Sequence, residues 1–570
     1  MQYLPDRKRL LYLPRLFSQQ EKIIFLVLLL IVISSGSFSL TRFIGRHTER
    51  VPEHGGVYRE GLLKQPRLIN PLFLASNDTD RDIAKLIYSS LITFDAEGNP
   101  IPDLAEHYEI TDENKTYTFV LRKNARWHDG KAVTADDIVF TVEAVQNPAY
   151  ASPERPNWQG VTVEKLDDHT VRFTLRQPYA PFINNLTLGI IPKHLWKNVD
   201  PISAPLNELN LRPVGSGAYV FSNIEKTEEL AARITLTANP RFHREGPYLK
   251  RIEFLFFPSE EELVQSLRTG AIDGAGGIPL QRLGRNIPRG LTPRAFSMPS
   301  VFGVFLNANK LELLADKDVR IALMQALDTE RVRKEAAGDD AKETYTPIPA
   351  GVFGLNPDIS PIRYDPEKAK NILEKEGFKE NEEGMRVKKE KKSGKEIITP
   401  LRIQLATSNA PQLVRATELI KTMWTDVGVT VELTVLPVIE LESTLIRPRA
   451  YEALLFGEVY SHDPDPFSFW HSSQIKDPGL NIAMYSNRKV DELLADARKT
   501  ADREIRRKKY EEFEKIISED VAALFLYSPS YNYFVNKKVR GIREGTIVLP
   551  ADRFNEVTEW FVYTDRAWKR

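Results

Sequence analysis

Two aspartates, Asp463 and Asp465, lie in a short loop whose residue types are suited to ligand chemistry. A proline follows each of them, and because proline disfavours helix at the residue before it, both carboxylates should be held on stiff, extended backbone. The surrounding side chains are aromatic: Tyr460, Phe467, Phe469 and Trp470. A stiff acidic loop lined by aromatic rings suits a cationic, partly apolar ligand. The alternative is a surface loop whose prolines only end a strand.

The elements before this loop indicate how it is positioned. Residues 453–456 are a short apolar run, which predicts one buried strand. Upstream, residues 401–405 and 429–435 have strand patterns, and residues 411–427 have the spacing of an amphipathic helix. A strand, a helix and a strand within about 35 residues predict a βαβ crossover in a parallel sheet. Ligands of such sheets bind beyond the carboxyl ends of the strands, which favours a functional role for Asp463.

The composition excludes several kinds of protein. The chain has 570 residues, which is enough for several domains. Its 78 basic residues equal its 78 acidic residues, so no net positive field argues for nucleic-acid binding. It has no cysteine, which excludes disulfides, thiolate metal sites, cysteine nucleophiles and a lipidated cysteine anchor.

The N-terminus carries a targeting signal. Basic residues within 1–22 precede an uninterrupted apolar run at 23–33, and a milder tail extends this run to Leu40. We predict a transmembrane anchor at 23–44 with residues 1–22 in the cytoplasm, because the basic flank stays inside. The small residues 35–37 leave a cleaved signal peptide as the alternative, although they do not form an Ala-x-Ala site. Either interpretation places the rest of the chain outside the cytoplasm.

Motifs of common enzymes and cofactor sites are missing from the sequence. It contains no G-x-S-x-G nucleophile elbow and no G-x-x-x-x-G-K-[ST] phosphate-binding loop. The glycine-rich residues 270–277 follow a predicted helix rather than a strand, so they lack the context of a dinucleotide fingerprint. His462 and His471 lie near the two aspartates, but the nine histidines show no metal-ligand spacing. We therefore predict no catalytic residue, no metal site and no cofactor.

Several segments, in order along the chain, resemble the extracytoplasmic solute-binding proteins of peptide and nickel ABC transporters, solute-binding family 5. The resemblance covers nearly all of residues 55–554, and it rests on many motifs together, since each is weak alone. The segments that carry it are IYSSLITFDAEGNPIPDLAEHYEITDENKTYTFVLRKNARWHDGKAVTADDIVFTVEAV, VGSGAYVF, NPRFHREGPYLKRIEF, FLNAN, DVRIALMQALDTERV, YDPEKAKNILEKEGF and DPDPFSFWHSSQ.

The resemblance implies an α/β fold. It predicts a two-lobe periplasmic-binding-protein-like architecture (type II, cluster C) with an extra N-terminal subdomain, preceded by one transmembrane helix. The chain should cross between the lobes near residues 296–304 and 523–530. The expected domains are lobe I, residues 51–74, 206–298 and 526–563; the extra subdomain, residues 75–205; and lobe II, residues 299–525.

The resemblance also implies a function and a site. Members capture a peptide or another solute in the cleft between the lobes and deliver it to a membrane permease. In peptide-binding members an aspartate of this loop pairs with the α-ammonium of the ligand, and the matching residue here is Asp463; such a desolvated pair is strong and directional. Asp465 is a weaker candidate, with bracing of the loop as its alternative role. The other expected ligand-binding residues are Tyr460, His462, Phe467 and Trp470.

We therefore expect an extracytoplasmic, N-terminally anchored monomer. Its expected partners are a peptide ligand, the permease subunits of an ABC transporter and the membrane, but not nucleic acid. Binding of nickel, a metal chelate or another solute of the same family is the first alternative. A sensor without transport, or a chaperone-like binder, is the second.

Overall fold

Two mixed β-sheets form the centres of two lobes, and a smaller unit packs against the first of them. The computed structural model describes residues 18–74, 77–227, 230–283, 287–392 and 395–568. Helices alternate with strands along the chain, so the fold is α/β, with the two-lobe architecture that the resemblance implied.

The first lobe is built on a seven-stranded sheet. Val57–Leu62 lies inside it and pairs in parallel with Arg251–Phe256 and Gly274–Gly276, whereas the remaining pairings of this sheet are antiparallel. The helix Glu260–Thr269 packs its buried leucines beside the sheet. In spatial order the strands are Leu291–Ser297, Ser530–Asn536, Gly274–Gly276, Val57–Leu62, Arg251–Phe256, Leu230–Ala238 and Tyr219–Thr227.

The second lobe is built on a six-stranded sheet. Arg402–Ser408 pairs in parallel with both Thr430–Leu436 and Ala453–Val459, and the helix Pro411–Thr425 joins the first two of these strands. The predicted βαβ crossover is therefore confirmed, as is the strand before the acidic loop. In spatial order the strands are Lys342–Glu343, Ala523–Ser528, Ser300–Leu306, Ala453–Val459, Arg402–Ser408 and Thr430–Leu436.

Helices cover both faces of this second sheet and bury separate apolar cores. One core contains the crossover helix together with Lys317–Gln325 and Pro366–Lys375. The other contains Arg488–Lys499 and Arg503–Asp520. A three-stranded antiparallel sheet extends from the first core and consists of Phe378–Glu380, Arg386–Lys392 and Lys395–Pro400.

A further unit, which we call the subdomain, spans the described part of residues 77–205. The helix Ala135–Gln146 packs on its four-stranded antiparallel sheet and begins at a capping box formed by Thr134 and Asp137, as the sequence predicted. The helix Asp78–Ile87 begins at Asn77, whose side chain accepts from the Thr79 N–H. The sheet strands, in spatial order, are Ala105–Thr111, Thr116–Leu121, Thr170–Leu175 and Val161–Asp167, and a separate ribbon pairs Ile92–Phe94 with Pro100–Pro102.

The chain passes between the two large sheets at two places. Leu291–Ser297 in the first sheet is followed by Ser300–Leu306 in the second. Ala523–Ser528 in the second sheet is followed by Ser530–Asn536 in the first. Both connections are one or two residues long, so the lobes are joined closely and at neighbouring points. The finer domain boundaries implied by the resemblance remain a prediction.

The helix Gln19–His47 precedes the lobes. Its part Gln19–Leu40 is long and apolar enough to cross a membrane, judged by length and composition, and its side chains are exposed. The predicted anchor falls within this helix, whereas residues 1–17 of the predicted cytoplasmic segment lie outside the described residues. The helix runs directly into Thr48–Glu53, which pairs antiparallel with Tyr563–Trp568 near the C-terminus.

Arg553 ties the subdomain to the first lobe inside a continuous apolar core. Its buried guanidinium donates to Glu60 at 2.7 Å and to both carboxylate oxygens of Asp82 at 2.8 and 2.6 Å. Tyr58 and Tyr533 donate to the other oxygen of Glu60 at 2.5 and 2.8 Å. Burial raises the pKa of Asp82 to about 6, and the Arg553 guanidinium opposes that shift.

Replacing Arg553 by methionine should destabilise the protein strongly. The change leaves two buried carboxylates without their cation, a loss that typically costs about 3–5 kcal/mol. Urea unfolding followed by circular dichroism measures the effect. Arg543→Met is the matched control, because Arg543 pairs with Glu559 at the surface and its removal should cost less than about 1 kcal/mol. Equal losses in the two variants would contradict the role of Arg553.

Candidate ligand-binding site

A cavity of about 430 Å³ lies between the first lobe, the subdomain and the loop that follows Ala453–Val459. This volume is in the range of small-molecule binding sites. Its lining is mixed: charged groups alternate with amides, hydroxyls and aromatic rings. Representative lining residues are Arg81, Lys85, Tyr88, Ser90, Asp103, Asn184, Phe242, Arg244, Ser461, Asp552, Phe554 and Asn555.

The helix Asp78–Ile87 forms one wall of the cavity. Positions three and four residues apart lie on one face of a helix, so Arg81 and Lys85 project from the same side toward the cavity. The opposite face is buried in the core through Ile83 and Leu86. The apolar face therefore holds the helix against the core, and the face with Arg81 and Lys85 lines the cavity.

Asp103 and Arg244 form a second charged group in the cavity wall. One Asp103 carboxylate oxygen lies 2.9 Å from His243 Nε2 and 3.3 Å from Arg244 Nε, and the other accepts from the Ser90 N–H at 3.1 Å. Burial would raise the pKa of Asp103, but Arg244 and these hydrogen bonds outweigh it and hold the pKa at about 2. The carboxylate is ionised and engaged by protein donors.

Asp463 follows the predicted strand but lies beside the cavity rather than on it. Its Oδ2 accepts from Arg506 Nη2 at 2.5 Å, and both side chains are buried. Its Oδ1 has no hydrogen-bond partner among the described residues. Burial raises the pKa of Asp463 to about 6, although Arg506 and Arg503 oppose that shift. A ligand ammonium would have to share this carboxylate with a cation of the protein.

The two walls of the cleft are in contact at this loop. The Asn184 side-chain amide of the subdomain donates to the Asp463 carbonyl at 2.8 Å and accepts from the Asp463 N–H at 3.2 Å. The Tyr179 hydroxyl donates to Asp465 at 3.1 Å. These contacts join the subdomain to the second lobe.

Asp465 is held entirely by protein donors. Arg498 donates to its two oxygens from Nε at 2.9 Å and from Nη2 at 2.5 Å, and Ser468 donates at 3.2 Å. Together with the contact from Tyr179, these bonds make Asp465 a brace for the loop. Bracing was the alternative role that the sequence suggested for this residue.

The predicted aromatic residues pack behind the loop. The Tyr460 hydroxyl and the Trp470 indole N–H both donate to the buried carboxylate of Glu458, at 2.8 and 3.1 Å. Phe467 stacks on His471 and lies under the Arg498 guanidinium, 3.7 Å from the ring centroid. Among the described residues that line the cavity, Ser461 belongs to this loop. None of the six predicted ligand-binding residues is part of that lining. Their ligand contacts remain a prediction.

Sequence reasoning did not single out the residues that line the cavity. Asn184 and Asp552 lie in none of the motifs quoted above, and Arg244 lies in one of them without a predicted role. These residues meet only because the first lobe and the subdomain share one core. The pair Arg81 and Lys85 did leave a signal, since two cations four residues apart share a helix face. That spacing does not by itself distinguish a solvated face from a cleft wall.

Two lobes joined by short crossings, with a cavity bounded by the first lobe, the subdomain and a loop of the second lobe, define the molecule as a solute-binding protein of the periplasmic-binding-protein type. The chain matches the family described as bacterial extracellular solute-binding proteins, family 5 middle, over residues 99–480. It belongs to this family, and the predicted resemblance is confirmed.

Individual relatives agree with this assignment. The oligopeptide-binding protein AppA of Bacillus subtilis (strain 168) is 29% identical over 511 residues, covering 86% of this chain and 90% of AppA. The solved structure of AppA with a nonapeptide has a TM-score of 0.67 and 27% identity, covering 90% of this chain and 100% of that chain. The structure of NikZ from Campylobacter jejuni with Ni(L-His) has a TM-score of 0.66 and 26% identity, covering 89% and 99%. These relatives are solute-binding proteins with different ligands.

His462 lies where the two walls of the cleft meet. Its ring is 6% exposed and stacks on Phe94 of the subdomain ribbon, with centroids 4.4 Å apart. Neither ring nitrogen has a hydrogen-bond partner among the residues that the structure describes. Burial lowers the pKa of His462 below its ordinary value. The charged groups that act on the ring are Asp552 and Asp95, which raise this pKa, and Lys85 and Arg503, which lower it.

Ligand affinity should therefore fall in mild acid. The lowered pKa means that His462 favours the closed cleft above its ordinary pKa of about 6.5, and that this contribution is lost as the pH falls below that value. The dissociation constant should rise by up to about tenfold per pH unit in this window, as calorimetric titration would show. His462→Phe keeps the stacked ring and should have a flatter profile. Asp463 titrates in both proteins, so identical profiles would contradict the role of His462.

Proposed function

We propose that this protein captures short peptides in its interlobe cleft, on the extracytoplasmic face of the membrane, for import by an ABC transporter. The observation that carries the proposal is the cavity at the contact between the subdomain and the second lobe. Membership of family 5 and the similarity to AppA, whose solved structure holds a nonapeptide, support it.

The lining of the cavity supports a peptide as the ligand. Asn185 and Asn555 carry amide donors and acceptors, which match the alternating N–H and C=O groups of a peptide backbone. Tyr88 and Phe242 supply apolar surface for side chains. No histidine is part of the lining as described, and the described residues contain no cluster of three or more metal-ligating side chains.

The N-terminal helix supports a location at the membrane. If Gln19–Leu40 is retained as an anchor, the two lobes stay close to the membrane permease, which raises the effective concentration of one partner for the other. The ribbon formed by Thr48–Glu53 and Tyr563–Trp568 follows directly and connects the helix to the lobes. Anchoring and monomeric state belong to the proposal.

Molecules that co-purify with the protein test the proposed function. The full-length chain is purified in detergent without added ligand and denatured, and the released small molecules are identified by mass spectrometry. A mixture of short peptides is the expected result, because a closed cleft retains its ligand. Recovery of a metal chelate, or of no ligand together with no binding of a short-peptide library, would overturn the proposal.

The predicted role of Asp463 requires its own test. Replacing Asp463 would leave Arg506 buried without its carboxylate, so loss of binding in such a variant could reflect misfolding. The ligand is altered instead: binding of one peptide is compared with that of its N-acetylated form. If the unpartnered Oδ1 accepts from the ammonium, acetylation should weaken binding about tenfold or more, the value of a charged hydrogen bond. Equal affinities would show that Asp463 serves only the protein.

A further inference from the structure

A second cavity, of about 440 Å³, lies at the end of the first sheet that is opposite the crossings to the second lobe. The strands Val57–Leu62 and Arg251–Phe256 begin at this end. The strand Ser530–Asn536, which enters from the second lobe, ends here, and Lys538 follows it. Among the described residues, none lines both this cavity and the one proposed for peptides. A ligand of the second cavity would therefore bind outside the cleft.

The lining of the second cavity is basic. Its side chains include four cations and one aromatic ring: Arg59, Lys250, Arg251, Lys538 and Tyr563. Two buried carboxylates, Glu253 and Asp273, lie behind the cations and pair with three of them. Four positive charges against two negative ones give the lining and its paired carboxylates a net charge of +2. A concave surface with this charge attracts anions.

The carboxylates leave many of the cationic donors unused. Glu253 lies 3.3 Å from Arg59 Nε and 3.7 Å from Arg251 Nη1, and the second contact is beyond hydrogen-bond distance. Lys538 Nζ lies 2.7 Å from Asp273. Within the described part of the chain, the exposed Lys250 has no ion pair. A guanidinium has five N–H donors and an ammonium has three, so this wall offers charged donors to an anionic ligand.

The chain enters the first lobe from the membrane helix beside this cavity. The helix Gln19–His47 runs into Thr48–Glu53, and only residues 54–56 separate that strand from Val57–Leu62. Six residues of strand span about 20 Å, so the cavity lies one short ribbon away from the end of the helix. Tyr563, in the partner strand of the ribbon, lines the cavity and is 54% exposed. Tyrosine is enriched where proteins meet the surface of a membrane, because its ring is amphipathic.

Three arginines continue the positive charge between the apolar part of the helix and the cavity. Arg42 and Arg46 follow Leu40 and, being four residues apart, lie on one face of the helix. Arg50 follows in the ribbon. All three are exposed. With residues 19–40 in a bilayer, these arginines lie at the level of the lipid headgroups, whose phosphates attract basic residues.

We propose that the second cavity binds the phosphate of an anionic lipid headgroup and so holds the first lobe against the membrane. Guanidinium and ammonium groups form charge-assisted hydrogen bonds with phosphate, and arginine does so with two donors at once. The membrane helix, the arginines and the exposed tyrosine beside the cavity favour a lipid over free phosphate as the source of this group. The site goes beyond the proposed function, and it rests on the membrane location in that proposal but not on peptide binding.

Lipid binding to the full-length protein in a nonionic detergent tests the proposal. Native mass spectrometry measures the fraction of protein that carries an added lipid, for anionic phosphatidylglycerol and for zwitterionic phosphatidylcholine. We expect phosphatidylglycerol to bind about tenfold or more tightly than phosphatidylcholine, since several basic residues act on one headgroup charge. Inorganic phosphate at the same concentration as the lipid is the competing probe, and it should displace little of the lipid.

Substitutions assign the preference to the cavity. The double variant Lys250→Gln/Arg251→Gln should bind phosphatidylglycerol about as weakly as phosphatidylcholine. The variant Lys250→Arg/Arg251→Lys keeps both charges and should keep the preference. Lys310→Gln/Lys317→Gln is the matched control, because it removes two charges from exposed lysines of the second lobe. Lipid bound along the membrane helix is common to all variants, so it does not contribute to the difference.

The outcomes separate this site from the proposed function. Equal binding of the two lipids, or a preference that survives in Lys250→Gln/Arg251→Gln, would overturn the headgroup site and leave peptide capture intact. Displacement of phosphatidylglycerol by inorganic phosphate would also overturn it, because the cavity would then hold a free anion. Peptide binding should be equal in all of these variants. If the parent protein bound no peptide, the proposed function would fail while the preference for the anionic lipid would still stand.

Discussion

The buried guanidinium of Arg553 holds together the half of the molecule that forms one side of the cleft. It satisfies Glu60 of the first sheet and Asp82 of the helix Asp78–Ile87 at once. Buried charges are tolerated only when they are paired. If this helix moved independently of the first lobe, Asp82 or Arg553 would be left without its buried partner or exposed to water. The subdomain and the first lobe therefore act as one wall, and Lys85 is carried on that wall at a fixed position.

The second lobe has a different relation to the rest. Its sheet is continuous with the first only through two short connections, after Ser297 and after Ser528, and its apolar cores are separate. Contacts across the cleft include hydrogen bonds, such as those of the Asn184 amide with the backbone of Asp463, and the stack of His462 on Phe94. Polar contacts between surfaces exchange readily with water, which suits a cleft that opens and closes.

Charged side chains of both signs occur on the two walls of the cleft. In the acidic loop of the second lobe, Asp463 pairs with Arg506 and Asp465 pairs with Arg498. The prolines and aromatic rings of the loop therefore serve mainly to make it rigid. The cavity itself is shaped by the other wall, whose lining includes both basic side chains, such as Lys85 and Arg244, and acidic ones, such as Asp103 and Asp552. The loop and the cavity are adjacent. His462 lies between them, because its ring packs on Phe94 of the subdomain and the charge of Lys85 lowers its pKa.

The α/β class, the βαβ crossover, the apolar N-terminal helix and the family were predictable from the sequence, because they depend on local periodicity and on the order of motifs. It also indicated the loop of Asp463 and Asp465, through the types of its residues. The contacts of those carboxylates could be seen only in the folded chain, since Arg506 and Arg498 come 43 and 33 residues later, on two helices. The same is true of the cavity, whose lining joins residue 81 to residue 555. Such pairings follow from long-range packing, which no local pattern encodes.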